Sequence, residues 1–368
     1  MIYSIGIQGY RCFKQFHAHG LRTLNLLVGK NNCGKTALLE ALQLLGSPGT
    51  EHQQIWASIV RRGEAFPRES EFGMSSVEFE VAHLFHGHET DLGSRFVVSA
   101  ETDRGPRDVR CEIVESEHAQ QTLFTSEQID EGSGYEYPLA IRIDTSGTET
   151  PFVLPLTARR TLTFQSVRSV SRTVPSEEES QTTFITTDSL SAYHAEAYWK
   201  EIALYPEEHL VLDALRLLEP GIERIAFIGS PRRYQGTVRG GPVVKLQGSG
   251  MRIPIGTMGD GMWRMLAMAL ALVRSRGGLL LVDEVDTGLH HTVMSDMWRM
   301  VLDTALRLNV QVFATTHSSD CTSSLAGLCK KSGTENVSVQ RIECGKEEAV
   351  AFSENEIFIA AHRGIEIR

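Results

Sequence analysis

Leu24-Asn25-Leu26-Leu27-Val28-Gly29-Lys30-Asn31-Asn32-Cys33-Gly34-Lys35-Thr36-Ala37-Leu38-Leu39 is the stretch whose reading decides the fold. Leu24 to Val28 is an apolar run that predicts a strand, Ala37 to Leu45 predicts a helix, and the residues between them fit G-x-x-x-x-G-K-[ST]. Glycines let backbone N–H groups converge on phosphate oxygens, and the positive end of the helix dipole adds to that pull. A nucleoside triphosphate with Mg²⁺ is therefore the expected ligand. Lys35 is expected on its β- and γ-phosphates and Thr36 at the metal, with Gly29, Lys30, Asn31, Asn32, Cys33, Gly34 and Ala37 around the phosphate chain. Kinases, GTPases and motor ATPases share such a loop, so it leaves the branch open.

Gly278 to Glu284, GLLLVDE, narrows the choice. Its unbroken apolar run predicts a strand covered on both faces of a parallel sheet, ending in two carboxylates at the edge where such sheets bind ligands. Asp283 is expected in the Mg²⁺ shell, and Glu284 is expected to orient or deprotonate the attacking water. Downstream, Val310 to Thr315 predicts a further strand that delivers His317 to the same edge, where its imidazole can bond a γ-phosphate oxygen. An amphipathic helix with Val293, Met297, Val301, Ala305 and Leu308 on one face fills the interval. Ile255 to Gly261 opens a long apolar helix through Val273; its free N–H groups can meet an anion, and Thr257 or Asp260 can serve as N-cap.

Taken together these blocks resemble the ABC-type ATPases of the RecF/SMC/Rad50 branch, and within it the OLD (overcoming lysogenisation defect) family. MIYSIGIQGYRCFKQF and LNLLVGKNNCGKTALLEAL resemble the first strands, Walker A loop and first helix of that group. MGDGMWRM is similar to its signature motif, LLLVDEVDTGLHH to its Walker B and D-loop, FATTHSSD to its H-loop, and GIEIR to the end of stand-alone members. The resemblance implies an α/β fold, an ABC-type P-loop ATPase head with a mixed, mainly parallel core sheet, an inserted antiparallel β-subdomain and a short helical subdomain. It also implies ATP and Mg²⁺ as ligands and a catalytic set of Glu284, Lys35 and His317, with Thr36 and Asp283 at the metal. Two copies would sandwich ATP, so Met258, Gly259, Asp260 and Gly261 of one protomer would cap the γ-phosphate held by Lys35 of the other. Asp286 and Gly288 would form the D-loop contact, although family members usually carry Glu and a His-Pro pair where this chain has Asp286 and His290-His291. A glutamine of the inserted region would supply the Q-loop.

At 368 residues, one elaborated domain fits the length, and a net charge of −10 argues against coating nucleic acid by bulk electrostatics. Local basic clusters occur at Arg159-Arg160, Arg168, Arg172 and Arg232-Arg233. Six cysteines without a C-x-x-C pair match reduced intracellular residues. Cys33 lies inside the phosphate loop, so thiol modification there is expected to interfere with nucleotide binding. With no signal segment and no apolar run long enough to span a bilayer, a cytoplasmic protein without a membrane partner is expected. His83, His86 and His88 invite a zinc site, but their position after an alternating strand reads better as an exposed strand end and turn.

Along the chain, 1–46 holds the Walker A block. The alternating segments Ser76 to Leu84, Arg95 to Ala100, Val109 to Val114 and Leu139 to Ile143 predict an antiparallel sheet within 50–185, and polar 166–183 predicts a long exposed loop. Ala192 to Leu218 turns helical with a break at Pro206, and return strands near Ile222 to Ile228 and Val243 to Leu246 complete 190–250. No sustained heptads appear, which excludes a long coiled-coil arm. The final block, 251–368, carries the signature, Walker B, D-loop and H-loop and ends in a hairpin, Ser338 to Glu343 with Ala349 to Phe352. The residues after His317 are too few for the Toprim nuclease of full-length OLD proteins.

The function expected is an OLD-like ATPase that assembles as a homodimer or higher oligomer through its ATP sandwich and regulates a separately encoded effector, a nuclease, in antiphage defence. A RecF-like DNA-repair ATPase, with DNA as partner, is one alternative; salt-sensitive, ATP-dependent duplex binding would mark it. A nucleotide-locked scaffold that sequesters a toxin with little turnover is another. A small-molecule kinase would explain neither GLLLVDE nor the THS segment.

Overall fold

The computed structural model describes the chain except residues 70–74, 117–138, 149, 165, 167–180, 229–240, 333–334, 366 and 368. A six-stranded sheet forms its centre, in the order β11 (Thr182–Ile185), β15 (Leu279–Val282), β16 (Gln311–Thr315), β3 (Leu24–Val28), β17 (Val337–Arg341) and β18 (Val350–Ser353). The first five are parallel and β18 pairs antiparallel with β17. Every residue of β3, β15 and β16 is buried, which is why these strands are continuous apolar runs rather than alternating ones.

The two faces of this sheet lead into two different cores, and the strand period of two does the sorting. Leu24, Leu26, Leu280, Val282, Val312 and Ala314 point into a helical core. It is built with α3 (Ala192–Ile202), α4 (Glu208–Arg216), α5 (Asp260–Arg274), α6 (His291–Leu308), α7 (Ser319–Ser332) and α8 (Glu354–His362). Leu27, Leu279, Leu281 and Phe313 point the other way, onto α1 (Lys35–Leu45). Beyond α1 lies a second six-stranded sheet, fully antiparallel, in the order β2 (Phe13–His19), β1 (Ile2–Tyr10), β6 (Arg95–Thr102), β7 (Gly105–Glu115), β8 (Leu139–Thr145) and β9 (Phe152–Leu156). Helix α1 is accordingly buried at ten positions, mostly apolar ones, which suits a helix between two sheets.

Several expected elements differ. The antiparallel sheet is not an insertion alone, because the N-terminal hairpin β1–β2 supplies two of its strands. Ser75–Glu80 (β5) leaves that sheet and pairs instead with β4 (Ala65–Glu69) and β10 (Thr161–Thr163), and residues 82–84 form a 3₁₀ turn rather than more strand. The segment expected as a long loop lies mostly outside the described residues, but its last two positions, Thr182 and Thr183, begin β11. Their alternation is too short to show in a polar neighbourhood, and the parallel pairing with Leu279 and Leu280 overrides it. The break at Pro206 separates α3 from α4, and β12 (Ile222–Phe227) and β13 (Pro242–Leu246) form a small sheet with β14 (Arg252–Pro254). Neither Thr257 nor Asp260 caps α5. Gly259 holds the N-cap position with φ +98°, Asp260 is the first helical residue, and the Thr257 hydroxyl donates to the Pro254 carbonyl at 2.7 Å.

Candidate functional site

Strand β3 ends in a loop that doubles back over the start of α1. Gly29 (φ +141°), Asn32 (φ +58°) and Gly34 (φ +103°) adopt the positive φ that closes it. A side chain at Gly29 would place its Cβ 2.2 Å from the Ile342 carbonyl oxygen, and one at Gly34 would meet Phe13 at 2.4 Å, so both positions exclude anything larger than glycine. Lys35 is 6% exposed, and its Nζ donates to the carbonyls of Gly29 (2.9 Å) and Lys30 (2.8 Å) across the loop. Burial lowers its pKa, opposed by the neighbouring Cys33 and Asp283. Cys33 is itself buried, with Sγ 3.8 Å from that ammonium. No side chain caps α1, so its first N–H groups stay available to an anion.

The parallel sheet brings the ends of β15 and β16 beside this loop. Asp283 accepts from Thr36 Oγ1 at 3.0 Å and from Thr315 Oγ1 at 2.6 Å. Hard oxygen donors thus converge at one point, the donor set Mg²⁺ takes. Glu284 follows with φ +48°, a left-handed backbone that its amide supports by donating to Thr315 Oγ1 at 2.8 Å. A cleft of about 750 Å³ runs along these groups, lined by Asn31, Asn32, Gly34, Lys35, Thr36, Ala37, Asp283, Glu284 and His317. Segments separated by some 250 positions in sequence therefore share one cavity, and Thr36 and Asp283 meet within it.

Met258, Gly259, Asp260 and Gly261 do not line that cleft. Gly259 and Asp260 are exposed at the start of α5. Gly261 instead lies against the segment after Glu284 in its own chain, where an added Cβ would sit 2.7 Å from the Gly288 carbonyl oxygen; Gly288 has φ +75°. Asp286 is also outside the cleft and accepts from Thr316 Oγ1 at 2.6 Å, which ties it to the residue before His317. Beyond β11 the chain continues into Thr186, Thr187 and Asp188 beside the Walker B strand, so no glutamine occupies that end.

Other groups at the site carried no local signal in sequence. Arg264 is 2% exposed and spans from α5 to the carbonyls of Thr186 (2.6 Å), Asp283 (2.6 Å) and Glu284 (2.8 Å). Burial lowers its pKa to about 10, against the pull of Asp283, Asp286 and Glu284. The same cleft is also lined by Arg11, Cys12, Arg62, Glu64, His83, His86 and His88. Glu40, 1% exposed on α1, anchors the cations of that wall: its carboxylate meets Arg11 at 2.7 Å, Arg62 at 3.0 Å and Arg61 at 3.5 Å. The three histidines are indeed on a turn, as the sequence suggests, but that turn borders the cleft. Among the described residues no group of three or more His, Cys, Asp or Glu side chains is arranged to hold a metal ion, and no helix is long and apolar enough to cross a membrane.

A curated "ATP/GTP phosphatase" of Helicobacter pylori (strain ATCC 700392 / 26695) is 23% identical over 345 residues, 87% of this chain and 86% of that protein. Among solved structures, an SMC head bound to the C-terminal winged-helix domain of ScpA superposes with a TM-score of 0.53 at 11% identity, covering 96% of this chain and 97% of that one. An SMC head domain from Thermotoga maritima gives 0.44 at 11% identity, covering 96% and 98%. The first superposition shows the fold to be that of an ABC-type ATPase head. The model of the family described as "AAA domain, putative AbiEii toxin, Type IV TA system" matches residues 24–320, which includes the phosphate loop, both acids and His317. The chain belongs to that family and is a P-loop ATPase of the ABC type.

Proposed function

We propose that the chain is an OLD-like ATPase that hydrolyses ATP between two copies of itself and uses the resulting assembly to control a separately encoded effector nuclease in antiphage defence. The observation that supports this most is the division of the motifs. Lys35, Thr36, Asp283, Glu284 and His317 share one cleft, whereas the exposed Gly259-Asp260 start of α5 lies outside it. A cap absent from its own cleft is available to the cleft of a second protomer.

In this reading Lys35 leaves the carbonyls of Gly29 and Lys30 for the β- and γ-phosphates, and the N–H groups of the α1 N-terminus hold the phosphate chain. Thr36 and Asp283 would hold Mg²⁺, which neutralises phosphate charge as it builds. Glu284 accepts a proton from the attacking water, and His317 donates to a γ-phosphate oxygen. Hydrolysis then releases the partner protomer, because the γ-phosphate is what the second copy grips.

Glu284→Gln is the experiment of choice. With Mg·ATP it is expected to sediment as a stable dimer or larger species while turnover falls by a hundredfold or more, and Lys35→Ala is expected to stay unassembled. Parental turnover in Glu284→Gln would remove Glu284 as the base, and a monomer at saturating ATP would remove the shared site.

A further inference from the structure

We propose that the turn from Ala82 to His88 is the nucleoside-recognition element of this ATPase, with the base of a purine nucleoside triphosphate stacked in the corner formed by the rings of His83 and His88. The inference rests on the proposed placement of phosphates at Lys35 and Thr36. If the γ end faces Asp283 and Glu284, the rest of the nucleotide runs along the same cleft, whose lining includes these imidazoles together with Arg11 and Arg62.

The corner is preformed. The two rings stand edge to face, 79° apart with centroids 4.8 Å from each other, and their Nδ1 atoms are 3.2 Å apart, so one ring donates to the other. Nε2 of His83 faces Glu80 Oε2 at 3.7 Å, while Nε2 of His88 meets no described residue and is left for a ligand. His88 keeps φ +62° directly after Gly87 at +81°, a backbone that a non-glycine residue seldom adopts and that turns its ring towards His83.

The turn is also fastened to the phosphate-loop side of the cleft. Arg11 N donates to the Leu84 carbonyl at 2.9 Å, His86 Nδ1 lies 3.1 Å from the Arg11 carbonyl, and Phe85 is buried against Phe96 at 5.5 Å between ring centroids. Arg11 is held by Glu40 and Glu64, so turn and cation move as one body. Flat, exposed π-faces beside fixed guanidinium groups suit a base and a sugar-phosphate, whereas the absence of a third metal-type ligand among the described residues disfavours a cation in the same place.

Binding of Mg·ATP and of Mg·tripolyphosphate, which has no nucleoside, separates this idea from the phosphate-loop reading. In the full chain His83→Ala/His88→Ala is expected to lose tenfold or more in ATP affinity while tripolyphosphate affinity changes by less than twofold. His83→Ala alone, at an unstrained position, is expected to lose at least threefold for ATP only. Unchanged ATP affinity in both variants would overturn the nucleoside assignment and leave the phosphate loop standing. Failure of tripolyphosphate to compete with ATP in the parental protein would overturn both.

Discussion

The guanidinium of Arg264 donates to the main-chain carbonyl of Glu284 at 2.8 Å, so the residue proposed as general base is held by helix α5. The same Nη2 reaches the Asp283 carbonyl and Nη1 reaches that of Thr186, which joins the ends of β11 and β15. Ser189 and Thr287 amides also donate to the Thr186 and Glu284 carbonyls. What Arg264 adds is therefore the tether between α5 and the strand ends. A single ammonium cannot reproduce a planar fork that serves three acceptors. Arg264→Lys is expected to cost about 2–4 kcal/mol by urea unfolding. It is also expected to lower kcat for ATP hydrolysis more than it raises KM, since Glu284 loses its orientation rather than the cleft its phosphate contacts.

A second prediction concerns Glu40. One carboxylate buried among Arg11, Arg61 and Arg62 is the single anion that balances that side of the cleft from within α1. Removing one member of a buried ionic cluster leaves desolvated charge behind, at about 3–5 kcal/mol. Glu40→Gln is expected to unfold at correspondingly lower denaturant. Arg11→Met combined with Glu40→Met is expected to be less destabilised than the sum of the single changes, and strict additivity in that cycle would show the two groups to be uncoupled.

The contrast between these groups and the phosphate loop explains what the sequence discloses. Gly29 to Thr36 is a contiguous segment whose residue types are each required by local geometry, and Leu279 to Val282 with Gln311 to Thr315 are apolar runs that a doubly covered parallel sheet dictates. Both are visible without knowing the fold. The Arg11–Glu64 pair spans 53 positions and the Arg264–Glu284 contact 20, across different elements, and no periodicity marks either. His83 and His88 reach the cleft only because the 3₁₀ turns pack on Arg11. Strand β11 is hidden for a related reason: four residues in a polar stretch become a strand through pairing with β15.

Ligand linkage gives a third test. A ligand that binds the folded state alone adds about 2.7 kcal/mol at a concentration of one hundred times its dissociation constant. Mg·ATP is therefore expected to raise the melting temperature of the parental chain by a few degrees. Lys35→Ala is expected to show no rise, because the ammonium that bridges Gly29 and Lys30 is also the proposed phosphate contact. An equal rise in the two proteins, followed by differential scanning fluorimetry, would place the nucleotide away from this loop.

Acid sensitivity should follow His52. This side chain is 1% exposed at the start of α2 (Glu51–Arg61), its ring tilted 42° against that of Phe152 with centroids 4.5 Å apart, and burial lowers its pKa from 6.5 to about 4. Between those two values the unfolded chain binds a proton that the folded chain refuses, so protonation favours unfolding and stability falls as pH drops from 6.5 towards 4. The corresponding loss is about 3 kcal/mol, from the free energy carried by each pKa unit. Above pH 6.5 both states hold the neutral ring and the contribution is constant. His52→Leu keeps the apolar contact with Phe152 and removes the titration, so its urea midpoint is expected to decline less steeply over the same window. Parallel declines in the two proteins would assign the acid sensitivity to other groups.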